Sequence, residues 1–287
     1  MPRRYRTGII AIVMLLLVVG GAILAPVRTV EVSLVAEPLF SVFGVPVTNT
    51  MLSSWMATIV LVLLCWLATR SMREVPGRLQ NLLEWVLEIW LNLAESVVGK
   101  TNARLYFPLV VTIFLLILVS NWMGLLPGFG TIGVWANEGG KTVLVPFFRS
   151  PNTDLNNTVA LALVSVLVTQ YFGVRAVGFF RYASRFVDLR HGPIGLVVGF
   201  LELVGEVARI ISFSFRLFGN IFAGEVLLAV LAFLVPWVVE LPFLGLELFV
   251  GFIQAFIFAM LTLVFLSVAT AAHGDSQGES HEAEARA

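Results

Sequence analysis

The stretch IGLVVGFLELVGEVARIISFSFRLFGNIFAGEVLLAVLAFLV, residues 194–235, decides the fold class, because this long apolar run contains five ionisable side chains. At 1.5 Å per residue, 42 helical residues reach ~63 Å, which is about twice the hydrocarbon thickness of a bilayer. The segment must therefore be strongly inclined, or broken, or extend well outside the membrane. An inclined helix would place its polar ends near opposite surfaces, which is a way to form two separate aqueous inlets.

The composition of the whole chain is that of a membrane protein. Of its 287 residues, 59% are apolar and 13% are charged, whereas soluble domains are about 45–50% apolar and about 25% charged. These few charged residues cannot cover the surface of a soluble globule of this length. A soluble enzyme, a disordered protein and a nucleic-acid binder are therefore all disfavoured. The single cysteine, Cys65, excludes a disulfide scaffold. We predict an all-α, polytopic membrane protein.

Six apolar segments are long enough to cross a bilayer as helices, which takes about 20 residues. They lie at 8–25, 51–69, 106–127, 157–174, 194–235 and 241–270. The first could be a cleaved signal sequence or a retained anchor. We favour the anchor, because the run exceeds the usual 7–15 apolar residues of a signal and Pro26 follows Ala25 directly.

The basic residues predict the orientation of these segments, since Lys and Arg accumulate on the cytoplasmic side. Three lie on the opposite side: Arg28, Lys141 and Arg149. Thirteen share the cytoplasmic side: Arg3, Arg4, Arg6, Arg70, Arg73, Arg78, Lys100, Arg104, Arg175, Arg181, Arg185, Arg190 and Arg286. Both termini are therefore expected in the cytoplasm, with an even number of crossings.

Residues 76–99 have a different pattern from the spanning segments. Polar side chains recur every three or four residues on one stripe: Gln80, Glu84, Glu88, Asn92 and Glu95. This pattern predicts an amphipathic helix lying in the inner membrane interface. The tail from His273 is polar and is expected to be disordered. No phosphate-binding loop and no metal-spaced His/Cys cluster occurs, so we predict no cofactor and no metal.

Polar side chains concentrate in the last two segments, where each intramembrane ionisable group costs about 2.5–3.5 kcal/mol on insertion scales. At 100° per residue, five polar side chains of the first of these segments share an arc of about 80° on one helix face. They are Glu202, Glu206, Arg209, Arg216 and Asn220. Glu225 lies about 140° from Glu202, and Glu247 and Gln254 share a face of the last helix. Two local explanations stay open: Glu202 and Arg209 could snorkel to the cytoplasmic surface, and Glu206 and Arg209 could form an ion pair. Arg216 is too far inside the segment for easy snorkelling.

The string ISFSFRLFGNIFAGE, residues 211–225, resembles the RLFGN…AGE signature of subunit a of F-type ATP synthases. Further strings resemble the same family in the same order over about 48–270: NTMLSSW (49–55), VPGRLQNLLEW (75–85), SNWMGLLPG (120–128), SPNTDLNNT (150–158) and QAFIFAMLTLVFLS (254–267).

This resemblance implies the fold and the division of the chain. The fold would have five family-type transmembrane helices, an amphipathic interfacial helix and a long inclined C-terminal hairpin. Residues 48–270, which the matching strings span, would be the subunit a domain. Residues 1–47 have no firm match, and their apolar run and basic residues predict an anchor with an extracytoplasmic segment, whereas the polar residues 271–287 are predicted to form a cytoplasmic tail. The protein would lie in the inner, or plasma, membrane of a bacterium as a multi-pass protein.

The resemblance also implies a function, that of a non-catalytic stator that conducts protons. Arg216 matches the family's essential arginine beside the c-ring carboxylate, and Asn220, Glu225, Gln254 and Glu202 match polar positions of the half-channels. Glu247 falls where some members have His, and Glu206 resembles an addition. The implied partners are the c-ring, the peripheral-stalk b subunits, membrane lipid and the transported proton, with nucleotide chemistry on other subunits.

Two alternatives from other classes remain on the sequence alone. A secondary transporter would bind its substrate or ion with midplane charges, but it predicts inverted repeats and broken helices, which are not visible. An assembly factor would bury its acids in ion pairs and would tolerate Arg216→Lys.

Overall fold

The computed structural model describes residues 36–42, 44–130, 132–138, 141–184, 186, 192–234 and 240–271. Most of them lie in α-helices: α1 (Asn49–Thr69), α2 (Arg78–Gly124), α3 (Leu155–Val177), α4 (Phe179–Ala183), α5 (Gly192–Leu234) and α6 (Glu240–Ala271). Among these, α1, α2, α3 and α6 are long and apolar enough to cross a membrane. The prediction of a polytopic, mostly helical membrane protein is therefore confirmed. The predicted anchor at 8–25 and nearly all of the tail lie outside the described residues.

The helix α1 begins two residues before the predicted span at 51–69. The side-chain oxygen of Thr48 accepts a hydrogen bond of 3.3 Å from the backbone N–H of Met51, which satisfies a donor that the first helical turn leaves free. Further along α1, large apolar side chains such as Ile59 and Val62 are exposed. Such a surface is expected where a helix faces lipid.

The long helix α2 contains the predicted amphipathic helix and the predicted span at 106–127. The two parts meet at Gly99, whose φ of 76° and ψ of 160° interrupt the helical backbone. On the polar stripe, Gln80 donates to the backbone oxygen of Arg73 at 3.2 Å and to a Glu84 carboxylate oxygen at 2.8 Å. These bonds fix the first turn of α2 against the chain that precedes it.

Short strands, which the all-α prediction omitted, lie near the predicted extracytoplasmic ends of the helices. They are β1 (Pro38–Val42), β2 (Val45–Thr48), β3 (Pro127–Gly130), β4 (Gly133–Glu138) and β5 (Lys141–Pro146). The antiparallel pair β1–β2 turns at Gly44, where φ is 82°, and β4 pairs antiparallel with β5 from Gly133↔Pro146 to Glu138↔Lys141. These stretches are too short and too rich in Gly and β-branched residues to continue as spanning helices.

The deciding stretch forms one helix, α5, of 43 residues. Its length of ~65 Å is about twice a hydrocarbon core. Because α5 is continuous, the option of a broken segment is removed. The helix is either inclined or extends beyond the bilayer.

The described residues form two compact units. The first unit contains residues from 36–57, 118–154 and 218–254. The second contains residues from 58–117, 155–217 and 255–271. In the first unit, Thr50 donates to a carboxylate oxygen of Asp154 at 2.8 Å, so the start of α1 is bonded to the segment before α3. In the second, the Trp90 ring lies 4.8 Å from Phe114 and 5.4 Å from Phe256.

Candidate functional site

Arg216 is exposed on α5. Its guanidinium donates a hydrogen bond of 3.2 Å to the hydroxyl of Ser212, one turn earlier, and lies 6.0 Å from the ring of Phe213. Within the described part of the chain, no carboxylate forms a salt bridge with Arg216. The structure therefore presents an uncompensated cation on the outside of this helix.

Neighbouring positions on the same turn are firmly packed. Phe213 is buried, and its ring lies 4.8 Å from Phe258 and 5.6 Å from Phe265 of α6. Leu217 is also buried. This packing sets the rotation of α5 about its axis, and the rotation places Arg216 outward. Asn220, four residues later, is exposed as well, as expected for residues on one helix face.

The other polar groups of this part of α5 behave differently. Arg209 donates to both carboxylate oxygens of Glu206 at 3.0 and 2.9 Å, and its guanidinium lies 3.9 Å from the centre of the Phe265 ring. Glu206 is buried and Glu202 is half-buried. Of the two explanations left open above, the local ion pair between Glu206 and Arg209 is the one observed.

Glu225 forms a salt bridge with Arg149, and both belong to the first unit. The Nε of Arg149 lies 3.0 and 3.2 Å from the two carboxylate oxygens of Glu225, and one Nη lies 3.1 Å from the second oxygen. The Arg149 side chain is 6% exposed and that of Glu225 is 32% exposed. The backbone N–H of Arg149 also donates to the Ser53 hydroxyl at 3.2 Å. Both the backbone and the guanidinium of Arg149 are therefore held by hydrogen bonds.

Glu247 is buried on α6, and its carboxylate lies against Gly224 of α5. A Cβ atom on Gly224 would come within 2.2 Å of that carboxylate, so the position has room for hydrogen only. No hydrogen bond or ion pair of the Glu247 side chain occurs among the described residues. Gln254, two turns further along α6, is buried too.

Side-chain amides and an indole fix the part of α6 that contains Glu247. Asn152 donates to the amide oxygen of Asn121 at 2.7 Å, and Asn121 donates to the backbone oxygen of Gly251 at 2.9 Å. Trp122 donates to the backbone oxygen of Leu248 at 3.0 Å. In the same unit, the buried hydroxyl of Ser150 has no partner among the described residues.

The residues predicted from the sequence fall into two sets. The first unit contains Asn220, Glu225, Glu247 and Gln254, whereas Glu202 and Arg216 belong to the second. Sequence reasoning missed Arg149 and Asn121 as members of the first set. A signal for Arg149 was present, because it is one of only three basic residues assigned to the extracytoplasmic side and directly precedes SPNTDLNNT.

Comparisons with known proteins agree with the resemblance. The family model described as ATP synthase A chain matches residues 51–267. An ATP synthase subunit a from Campylobacter jejuni (serotype O:23/36, strain 81-176) is 36% identical over 219 residues, which cover 75% of this chain and 87% of the relative. An ATP synthase subunit a from Gloeobacter violaceus is 36% identical over 227 residues, covering 79% of this chain and 85% of the relative.

Proposed function

This chain belongs to the ATP synthase A chain family, and we propose that it is the stator subunit in which Arg216 faces the carboxylates of a rotating c-ring. The protein takes part in ATP synthesis and proton transport, and it belongs to the membrane sector of the complex. Protons would enter by one half-channel, travel with the ring and leave by a second. The observation that carries this proposal is the exposed guanidinium of Arg216 on α5, which forms no salt bridge with any residue that the structure describes.

A permanent cation suits this role for two physical reasons. Guanidinium stays charged in any environment a protein offers, so it attracts the ionised form of whichever ring carboxyl stands opposite and favours release of that proton. For the same reason it cannot act as a relay that passes protons directly from one inlet to the other. Protons must then travel around with the ring, and each one that crosses 100 mV yields ~2.3 kcal/mol.

The two sets of polar residues support two half-channels. We assign Glu202, with the Glu206–Arg209 pair nearby in sequence, to the cytoplasmic half-channel. Asn220, Glu225, Glu247 and Gln254 belong to the extracytoplasmic one. The length of α5 supports this division, because one continuous helix of ~65 Å can expose polar groups near each membrane surface.

The same proposal extends to partners and to the rest of the chain. The c-ring and the peripheral-stalk b subunits are the protein partners, lipid covers the exposed apolar surface, and the proton is the transported species. Nucleotide chemistry belongs to other subunits. We propose that residues 1–47 form an anchor and extracytoplasmic segment, that 48–270 form the subunit a domain, and that 271–287 form a cytoplasmic tail. The location is the inner membrane of a bacterium.

The test is ATP-driven proton pumping in inverted vesicles that carry the intact complex, with the wild type compared with Arg216→Ala and Arg216→Lys. We expect both variants to lose pumping almost completely, because Lys is a compact point charge that can give up its proton when desolvated. A reagent that blocks the c-ring carboxyl should abolish the wild-type signal.

The matched control is Arg175→Lys, since Arg175 is an exposed arginine at the end of α3. It should pump at the wild-type rate. Assembly is checked by the amount of each subunit in the purified complex. Retained pumping by an assembled Arg216→Lys complex would refute the stator role and favour the assembly-factor alternative.

A further inference from the structure

We propose that Arg149 is a positioning residue that holds Glu225 as a fixed carboxylate, so that Glu247 is the acid of this unit that accepts and releases the transported proton. This inference rests on the proposed function and divides the work within its extracytoplasmic half-channel. A proton passes from water to a Glu247 oxygen and later leaves that oxygen towards the ring. Arg149 and Glu225 exchange no proton.

Arg149 occupies both carboxylate oxygens of Glu225. Each accepts at least one N–H of Arg149, at distances of 3.0 to 3.2 Å. A guanidinium fork that binds both oxygens of a carboxylate is among the strongest polar contacts in proteins. A proton arriving at Glu225 would have to displace this contact and leave the Arg149 charge without its partner.

Arg149 is buried in the first unit. Its side chain is 6% exposed and its backbone is bonded to Ser53 on α1. Removing one partner of a buried ion pair is strongly unfavourable, because the remaining charge stays desolvated. A change of Glu225 that removes its negative charge would leave the desolvated Arg149 guanidinium without its partner, so the contact favours a Glu225 carboxylate that stays bound to Arg149.

Glu247 has different surroundings from Glu225. Its carboxylate is buried, it lies in the space that Gly224 leaves free, and no donor of the described residues bonds to it. Its backbone neighbours are held in place, since Trp122 and Asn121 bond to the backbone oxygens of Leu248 and Gly251. Glu247 thus stands on a fixed stretch of backbone, and no donor of the described residues occupies its carboxylate oxygens.

A double-mutant cycle in the intact complex tests this division. Proton conduction per assembled complex is measured in vesicles for Arg149→Gln, Glu225→Gln, the double variant and Glu247→Gln. Each single change in the pair should lower conduction at least about tenfold. Glu225→Gln leaves the buried charge of Arg149 unpaired, and Arg149→Gln releases a half-buried carboxylate that can then hold a proton. The double variant should recover to within about threefold of wild type, since neutral replacement of both partners is often tolerated.

Three further variants make the cycle specific. Glu247→Gln should abolish conduction both alone and in the double-variant background. Arg149→Lys keeps the charge without the fork and should conduct at a rate between the wild type and Arg149→Gln. The matched control is Arg175→Gln, because Arg175 is an exposed arginine outside this unit. This variant should conduct like the wild type.

Two outcomes would overturn the inference: a double variant that loses more conduction than either single variant, or a Glu247→Gln complex that conducts normally. Arg216→Lys is measured in the same vesicles. If Arg216→Lys pumps, the proposed function fails. If it does not pump and the Arg149 and Glu225 losses add, this inference alone fails.

Discussion

At the scale of single residues, two arginines of this chain are used in opposite ways. Arg216 is exposed and has only the Ser212 hydroxyl as a hydrogen-bond partner within the described residues, whereas Arg149 is buried and bound by both Glu225 oxygens. Guanidinium keeps its charge in both places. The two cations therefore differ in their surroundings: Arg216 is left open to a partner outside the chain, as proposed above, and Arg149 is compensated within the chain.

A prediction at this scale concerns the hydrogen atom that Gly224 has in place of a side chain. The change Gly224→Ala would place a Cβ atom within 2.2 Å of the Glu247 carboxylate, which must then move. A shift of about 1 Å in a reacting group can cost up to about 100-fold in rate, so we expect proton conduction per assembled complex to fall at least tenfold. Passive conduction in vesicles measures it.

The control for this change is Gly245→Ala, also in the first unit, where a Cβ atom would meet nothing within 4 Å. It should conduct like the wild type. Equal conduction by both alanine variants would show that the position of the Glu247 carboxylate does not limit transport.

At the scale of elements, the break in α2 joins an amphipathic helix to a spanning one. Gly99 adopts φ 76° and ψ 160°, a region that is essentially reserved for glycine. The residue is exposed, and a Cβ atom there would meet nothing within 4 Å. Its requirement for glycine is therefore a matter of backbone conformation and not of packing.

We predict that Gly99→Ala destabilises the complex by about 1–3 kcal/mol, the usual penalty for a side chain in this backbone region. The midpoint of thermal unfolding of the purified complex should fall. Gly77→Ala is the matched control, because Gly77 is also exposed and free of neighbours but lacks a positive φ. A Gly99→Ala complex as stable as the control would mean that the two helices can join without the break.

The elements also show what sequence could and could not predict. Apolar length located α1, α3 and α6 to within a few residues, because crossing a bilayer fixes both composition and length. The strands β4 and β5 were missed, since a pair of six-residue strands has no such signal. The polar stripe predicted the amphipathic helix, but nothing in the stripe indicated that it continues into the next span through Gly99.

For the candidate site, helical phase alone was too coarse. It placed Glu206, Arg209 and Arg216 on one arc, yet Glu206 is buried in an ion pair and Arg216 is exposed. The packing of Phe213 against α6 accounts for this difference. Packing between two helices cannot be derived from the periodicity of one of them. The pairing of Arg149 with Glu225 was equally hidden, because 76 positions separate the two residues.

At the scale of the whole molecule, the asymmetry of basic residues predicts which side each loop occupies, thirteen residues against three. The exposed residues Met72 and Ile132 test this prediction, because the segment 106–127 lies between them. Each is changed to Cys in a Cys65→Ser background and treated with a thiol reagent that cannot cross membranes. Inverted vesicles should react at position 72 only, and right-side-out vesicles at position 132 only.

Labelling of both positions from the same side would mean that the second part of α2 does not cross the bilayer. Arg149 would then lie on the same side as Arg70 and Arg73, and Glu225, which is bound to Arg149, could not open to the opposite surface from Glu202. The two proposed half-channels would then lose their separation. Labelling from opposite sides instead places the Arg149–Glu225 pair on the extracytoplasmic side, where a proton driven inward by the membrane potential must enter.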